Sequence, residues 1–68
     1  MLGTIKFYNE NKKFGFIVND QNKDVFFHIS NVNPACKDDM GHKAKDKQCE
    51  FEMTEGRNGP EACDVTLL

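Results

Sequence analysis

Apolar and polar side chains alternate with a period of two in several short runs, and no stretch sustains the period of an amphipathic helix. Residues 2–8 (LGTIKFY), 13–19 (KFGFIVN) and 24–29 (DVFFHI) read as three strands, with polar turns at Asn9 to Lys12 and Asp20 to Asn22. Residues 31–47 hold Pro34, Gly41 and many charges without either period, which predicts a long loop with a short helical turn near Ser30 to Asn33. A fourth strand is predicted at 48–54, where Cys49, Phe51 and Met53 alternate with Gln48, Glu50 and Glu52. Gly56 to Pro60 reads as a turn, and 61–67 as a fifth strand with Ala62 and Val65 facing inward. Five short strands without a useful helix predict an all-β domain. A five-stranded antiparallel barrel is the smallest arrangement that hides most of its edges.

The alternation also sorts the faces. Residues two apart on a strand share a side, which groups Phe14, Phe16 and Val18 against Gly15 and Ile17. On the third strand Phe26 and His28 oppose Val25, Phe27 and Ile29. The Val25, Phe27 and Ile29 side is wholly apolar and pairs with Ile17, so it is assigned to the interior. The outward face then carries Phe14, Phe16, Phe26 and His28, where a solvated strand should be polar. A contiguous exposed apolar patch marks a binding surface. Flat rings edged by lysines suit the unstacked bases of a single nucleic-acid strand, each stack being worth about 1–3 kcal/mol.

Charge sharpens this picture once it is divided along the chain. The net charge is −2, but residues 1–30 carry four lysines against three acids, while 31–68 carry eight acids against five cations. Six of the seven aromatic residues lie in the mildly basic half, Phe51 being the exception. With 68 residues a single domain spanning 1–68 is expected, with a core too small for a deep catalytic pocket. No nucleophile–base pair stands out. No run of the chain approaches a membrane span, and no secretory leader pattern opens it, so no membrane partner is expected. The three cysteines, Cys36, Cys49 and Cys63, show no close pairing, which predicts reduced thiols in a cytoplasmic protein. Their irregular spacing with His28 and His42 argues against a zinc site, and no metal or cofactor is expected.

Two segments carry a specific likeness. Lys12-Lys13-Phe14-Gly15-Phe16-Ile17 resembles the first ribonucleoprotein motif of the bacterial cold-shock proteins, and Val25-Phe26-Phe27-His28-Ile29-Ser30 resembles the second. Gly3-Thr4-Ile5-Lys6, Phe51-Glu52 and Gly59-Pro60-Glu61-Ala62 extend the resemblance nearly end to end. The resemblance implies an OB-fold barrel that binds single-stranded RNA and DNA, prefers pyrimidine-rich segments, and acts as an RNA chaperone aiding translation and antitermination in the cold. It further implies that Phe7, Phe14, Phe16, Phe26 and His28 stack on bases. Lys6 and Lys12 would meet phosphates or base edges, and Asp24 would accept a base hydrogen bond. Lys13, outside that match, is read as an added phosphate contact, and Arg57 as the displaced basic residue of the turn before the fifth strand.

The chain departs from that pattern at several positions. Phe7 stands where the family usually has Trp, and Tyr8 where it has Phe. Strict alternation puts Ile5 and Phe7 on one face, so sending Ile5 inward and Phe7 outward requires a bulge in the first strand. Lys13 stands where the family has Gly; if that position needs a positive φ, Lys costs roughly 1–2 kcal/mol there. The aromatic residue usual in the long loop is absent, with His42 nearby. A monomer is expected, with a strand-swapped dimer as the variant state. The rival reading of the apolar face is a protein–protein surface.

Overall fold

The structure, a computed structural model, describes residues 1–40, 44–56 and 59–68. Five strands, β1 (Leu2–Asn9), β2 (Phe14–Asn19), β3 (Asp24–His28), β4 (Gln48–Gly56) and β5 (Gly59–Leu67), close into a barrel in the order β1-β2-β3-β5-β4. Each boundary lies within two residues of the sequence expectation. The expectation of a wholly antiparallel barrel is corrected at one seam. β3 meets β5 in parallel through Phe26 opposite Glu61, whereas the other four seams are antiparallel. The long connection between β3 and β4 brings β5 alongside β3 in this sense, so no hairpin constrains that pair to run antiparallel.

The interior follows the assigned faces. Ile5, Ile17, Val25, Phe27, Phe51 and Val65 are buried, joined by Val32, Ala44, Cys49 and Ala62. Ile17 pairs with Ile5 on one side and Val25 on the other, which lines three strands' inner positions in one row. Burial pushes the Cys49 thiol up to about 11, so it stays protonated and packs as a small apolar group. All three cysteines are unpaired.

Alternation breaks at two bulges. On β1, Ile5 pairs with Ile17 and Phe7 with Phe16, so Lys6 is the extra residue that turns Phe7 outward. This is the bulge required by the sequence. On β5, Glu50 pairs with Thr66 but Glu52 with Cys63, and Asp64 lies between them at φ 52. That extra residue explains how Ala62 and Val65, three apart, both reach the core. Asp is among the residues that tolerate this left-handed geometry.

Three expectations about packing need correction. Met53 does not continue the buried row of Cys49 and Phe51 but is 36% exposed, because β4 runs on past the core there, with Glu52 to Glu55 all exposed. Ile29 is half-buried at the margin of the core, since the chain leaves β3 at His28 and turns into a short 3-10 helix over Ile29–Asn31. The connection after it is also more ordered than a loop. A second 3-10 helix spans Pro34–Asp39, with Asn33 capping the Ala35 amide and Pro34 in its first turn. Val32 bridges to Val65 and Ala44 is fully buried, so this connection closes one end of the barrel.

Lys13 occupies the left-handed region at φ 64. Its amide donates to the Asn9 carbonyl and its carbonyl accepts from the Ile29 amide, so the conformation is held from both sides. The Cβ of a lysine is strained here and glycine is not. Lys13→Gly is therefore expected to stabilise the fold by about 1 kcal/mol, raising the melting temperature by roughly 4–8 °C in a domain this small. A calorimetric melt showing no rise or a fall would mean that the side chain repays its strain through packing.

Candidate nucleic-acid interface

The outward side of β1, β2 and β3 forms one aromatic surface. Register pairs place Phe7 beside Phe16, Phe16 beside Phe26, and Phe14 beside His28. The ring centroids of Phe7 and Phe16 are 5.5 Å apart, those of Phe14 and Phe26 5.4 Å, and those of Phe16 and Phe26 5.9 Å. Phe14 meets Phe16 edge-on at 6.3 Å. Phe7 is 39% exposed, His28 is exposed, and the three central rings are half-buried against one another. Such tilted and edge-to-face contacts fix ring orientation, and each ring keeps part of its surface in solvent.

Gly15 lets this surface lie close to the core. A Cβ at that position would collide with the Phe7 carbonyl and sit 2.9 Å from the Phe27 ring. The glycine thus permits β1 to approach β2 at the level where Phe7 turns outward. Tyr8, the neighbour of Phe7, faces the other way and stacks on Phe27 at 6.0 Å. Burial, with the Glu10 carboxylate nearby, raises its hydroxyl above the usual tyrosine range, so it remains neutral.

The polar residues at the margins divide by sign. Asn9 organises the β1–β2 turn, its side-chain oxygen accepting from the amides of Asn11 and Lys12 at 2.9 and 3.1 Å. That turn presents Lys12 and Lys13, both exposed, at the Phe14 end of the face. Lys6 and Asp24 lie across the adjoining margin and are joined by an ion pair of 3.1 Å, the one such pair among the described residues. Each side chain is about half exposed (53% and 48%), so the pair contributes little and opens readily. Lys6 and Asp24, each expected to face a ligand, are paired with one another in this structure. Arg57 and His42 lie outside the described residues.

At the opposite margin the surroundings are acidic. Phe26 and His28 share a groove with Glu55, Gly56, Glu61 and Ser30. Glu61 stands opposite Phe26 on the parallel seam. The sequence reading missed Glu61 and Ser30, because neither contact follows from spacing along one strand. Ser30 lies inside the second aromatic motif, which was the available signal for it. Among the described residues no group of three or more His, Cys, Asp or Glu is placed to hold a metal ion. Among them, too, no helix is long and apolar enough to cross a membrane.

A closed five-stranded barrel with tilted and edge-on rings clustered across three strands is an OB-type barrel. The chain belongs to the cold-shock family: the 'Cold-shock' DNA-binding domain matches residues 1–68. It is 44% identical over 69 residues to the cold shock-like protein CspE of Buchnera aphidicola, covering 97% of this chain and 93% of that one. It is 39% identical over 66 residues to the cold shock protein CspA of Staphylococcus haemolyticus, covering 97% and 96% respectively. With CspA of Staphylococcus saprophyticus the identity is 40% over 68 residues, at the same coverage. The family is one of nucleic-acid-binding proteins, not enzymes.

Proposed function

We propose that this protein binds single-stranded RNA and DNA by stacking successive bases on Phe7, Phe14, Phe16, Phe26 and His28. The observation that carries the reading is the continuous outward ring surface across β1, β2 and β3, on strands whose other face is core. Lys6, Lys12, Lys13 and Arg57 supply phosphate contacts, and Asp24 accepts from a base edge once its pairing with Lys6 opens. Stacking tolerates every base, so the preference for pyrimidine-rich segments is broad. A protein that holds bases unstacked from their partners shifts weak RNA structure toward the open form, which is the RNA-chaperone role, with translation and antitermination at low temperature as its setting. The active species is a monomer in the cytoplasm, where three unpaired thiols fit a reducing medium.

Titration of a labelled oligo-dT at several salt concentrations tests this reading against an apolar protein-docking face. With three or four cations engaged, the logarithm of affinity should fall with that of salt at a slope of roughly −2 to −3. A substantial salt-tolerant remainder reflects stacking. A duplex of equal length should bind much more weakly. No saturable binding, or binding that strengthens with salt, would favour the protein partner instead.

A further inference from the structure

At the Phe14 and His28 end of the ring surface lies a separate recess of about 320 Å3, lined by Tyr8, Glu10, Lys13, Ile29, Lys37 and Met40. Three segments bound it: the β1–β2 turn, the 3-10 helix that Ile29 opens, and the end of the second 3-10 helix. Its floor is apolar, since Ile29 and Met40 are half-buried and pack against the core. Its rim is charged. Lys13 and Lys37 are both exposed there, with Glu10 as the opposing carboxylate. Among the described residues the one ion pair is Lys6 with Asp24, so neither ammonium group of the recess is neutralised by an acid.

The placement of Lys13 comes at a cost in backbone strain, at φ 64. The bonds to the Asn9 carbonyl and the Ile29 amide hold that conformation, and with it the direction in which the side chain leaves. A charged residue kept in a strained conformation points to a function for its side chain. Lys37 approaches from the last turn of the second 3-10 helix, a segment distant in sequence. Tyr8 adds a hydroxyl whose ring is fixed by stacking on Phe27. That hydroxyl stays protonated, because burial and Glu10 oppose its ionisation, and it can therefore donate. Two cations and an O–H donor thus converge from three segments.

A phosphate group accepts from all three at once, through charge-assisted bonds. A phosphate inside a strand carries one charge and needs a path out on both sides. A terminal phosphate carries about −2 at pH 7, and a recess closed on three sides suits a chain end. We infer that this recess binds the terminal phosphate of a strand stacked on the rings, with Lys13 and Lys37 pairing with its oxygens and the Tyr8 hydroxyl donating to it. The inference rests on the single-strand reading above and adds to it a preference for one kind of end. Cleavage of a phosphodiester leaves a phosphate on one of the two new ends, so cut strands carrying it on the favoured side are held more tightly and in one direction.

The test is competition against a labelled oligo-dT by three short unlabelled oligo-dT strands, with hydroxyl ends, a 5′-phosphate or a 3′-phosphate. One phosphorylated strand should bind about fivefold more tightly than the hydroxyl-ended one, as expected of two exposed ion pairs and a hydrogen bond, and the other within about twofold of it. Lys37→Gln and Tyr8→Phe should each reduce the preference to about twofold or less while leaving the affinity for hydroxyl-ended dT unchanged. Glu10→Gln should enlarge it. Equal affinity for all three strands, or an unchanged preference in both Lys37→Gln and Tyr8→Phe, overturns the recess and leaves the stacking face intact. An equal gain from both phosphates would show general attraction to the basic half and overturn it too. So would an equal loss for hydroxyl-ended and phosphorylated strands in Lys37→Gln, which would place an internal phosphate there. Failure of every strand to bind would remove both readings.

Discussion

Phe26→Ala is expected to weaken oligo-dT binding by roughly 5- to 150-fold, the equivalent of losing one stack worth about 1–3 kcal/mol. Phe26 is the best single position for this test because it joins the two halves of the surface. Its ring lies 5.4 Å from Phe14 and 5.9 Å from Phe16, and it also borders the β3–β5 groove. Its removal takes away one platform and loosens two others, so the loss should fall toward the upper part of that range. Stability should change far less. The ring is only half-buried, and its contacts are aromatic pairs worth about 0.5–1.5 kcal/mol each. The measurement is a titration at fixed moderate salt, with circular dichroism confirming that the variant is folded. An affinity within twofold of wild type, in a folded variant, would show that bases do not rest on this ring. Lys13→Gly provides the contrasting case. It should lower the salt slope by about 0.7 as one phosphate contact is lost, while the stacking remainder persists.

The parts of this molecule that were readable from the chain are those where one strand's alternation runs unbroken. β2 and β3 alternate cleanly, so Ile17, Val25 and Phe27 were assignable to the core and Phe14, Phe16 and Phe26 to the outer face without reference to any neighbour. Period-two reasoning fails wherever a residue is inserted. The bulge at Lys6 was inferable only because two apolar residues, Ile5 and Phe7, needed opposite destinations. The bulge at Asp64 left a trace in the spacing of Ala62 and Val65, but nothing in that spacing identifies the left-handed residue. Val32 and Ala44 reach the core from a segment with no period at all, and their burial depends on how the 3-10 helices cap the barrel. The site divides in the same way. Rings on adjacent strands could be grouped from register alone, whereas the juxtaposition of His28 with Glu61 depends on a parallel seam formed by distant segments. The pairing of Lys6 with Asp24 is likewise a product of the barrel, since both residues were readable separately as ligand contacts.

One position along from Phe26, the expected result reverses. Phe27→Ala should unfold most of the protein at room temperature, although the side chain touches no ligand. Phe27 is fully buried, stacks on Tyr8 at 6.0 Å, and packs beneath Gly15 where no other residue leaves space for it. Truncation of a buried phenylalanine costs about 3–5 kcal/mol. A core this small supplies roughly 3–5 kcal/mol of stability, so the variant falls to or below the folding threshold. Chemical denaturation should show a midpoint near zero denaturant, against a normal cooperative transition for Phe26→Ala. Because binding is confined to the folded state, saturating oligo-dT should recover part of the lost structure. At a hundred times the dissociation constant the recovery is about 2.7 kcal/mol, enough to refold a variant that lies just below threshold. Recovery of the folded signal on adding oligo-dT, with none on adding an equal duplex, would link the barrel's stability directly to single-strand binding. A Phe27→Ala protein that stays fully folded without ligand would show that the two faces of β3 had been assigned in reverse.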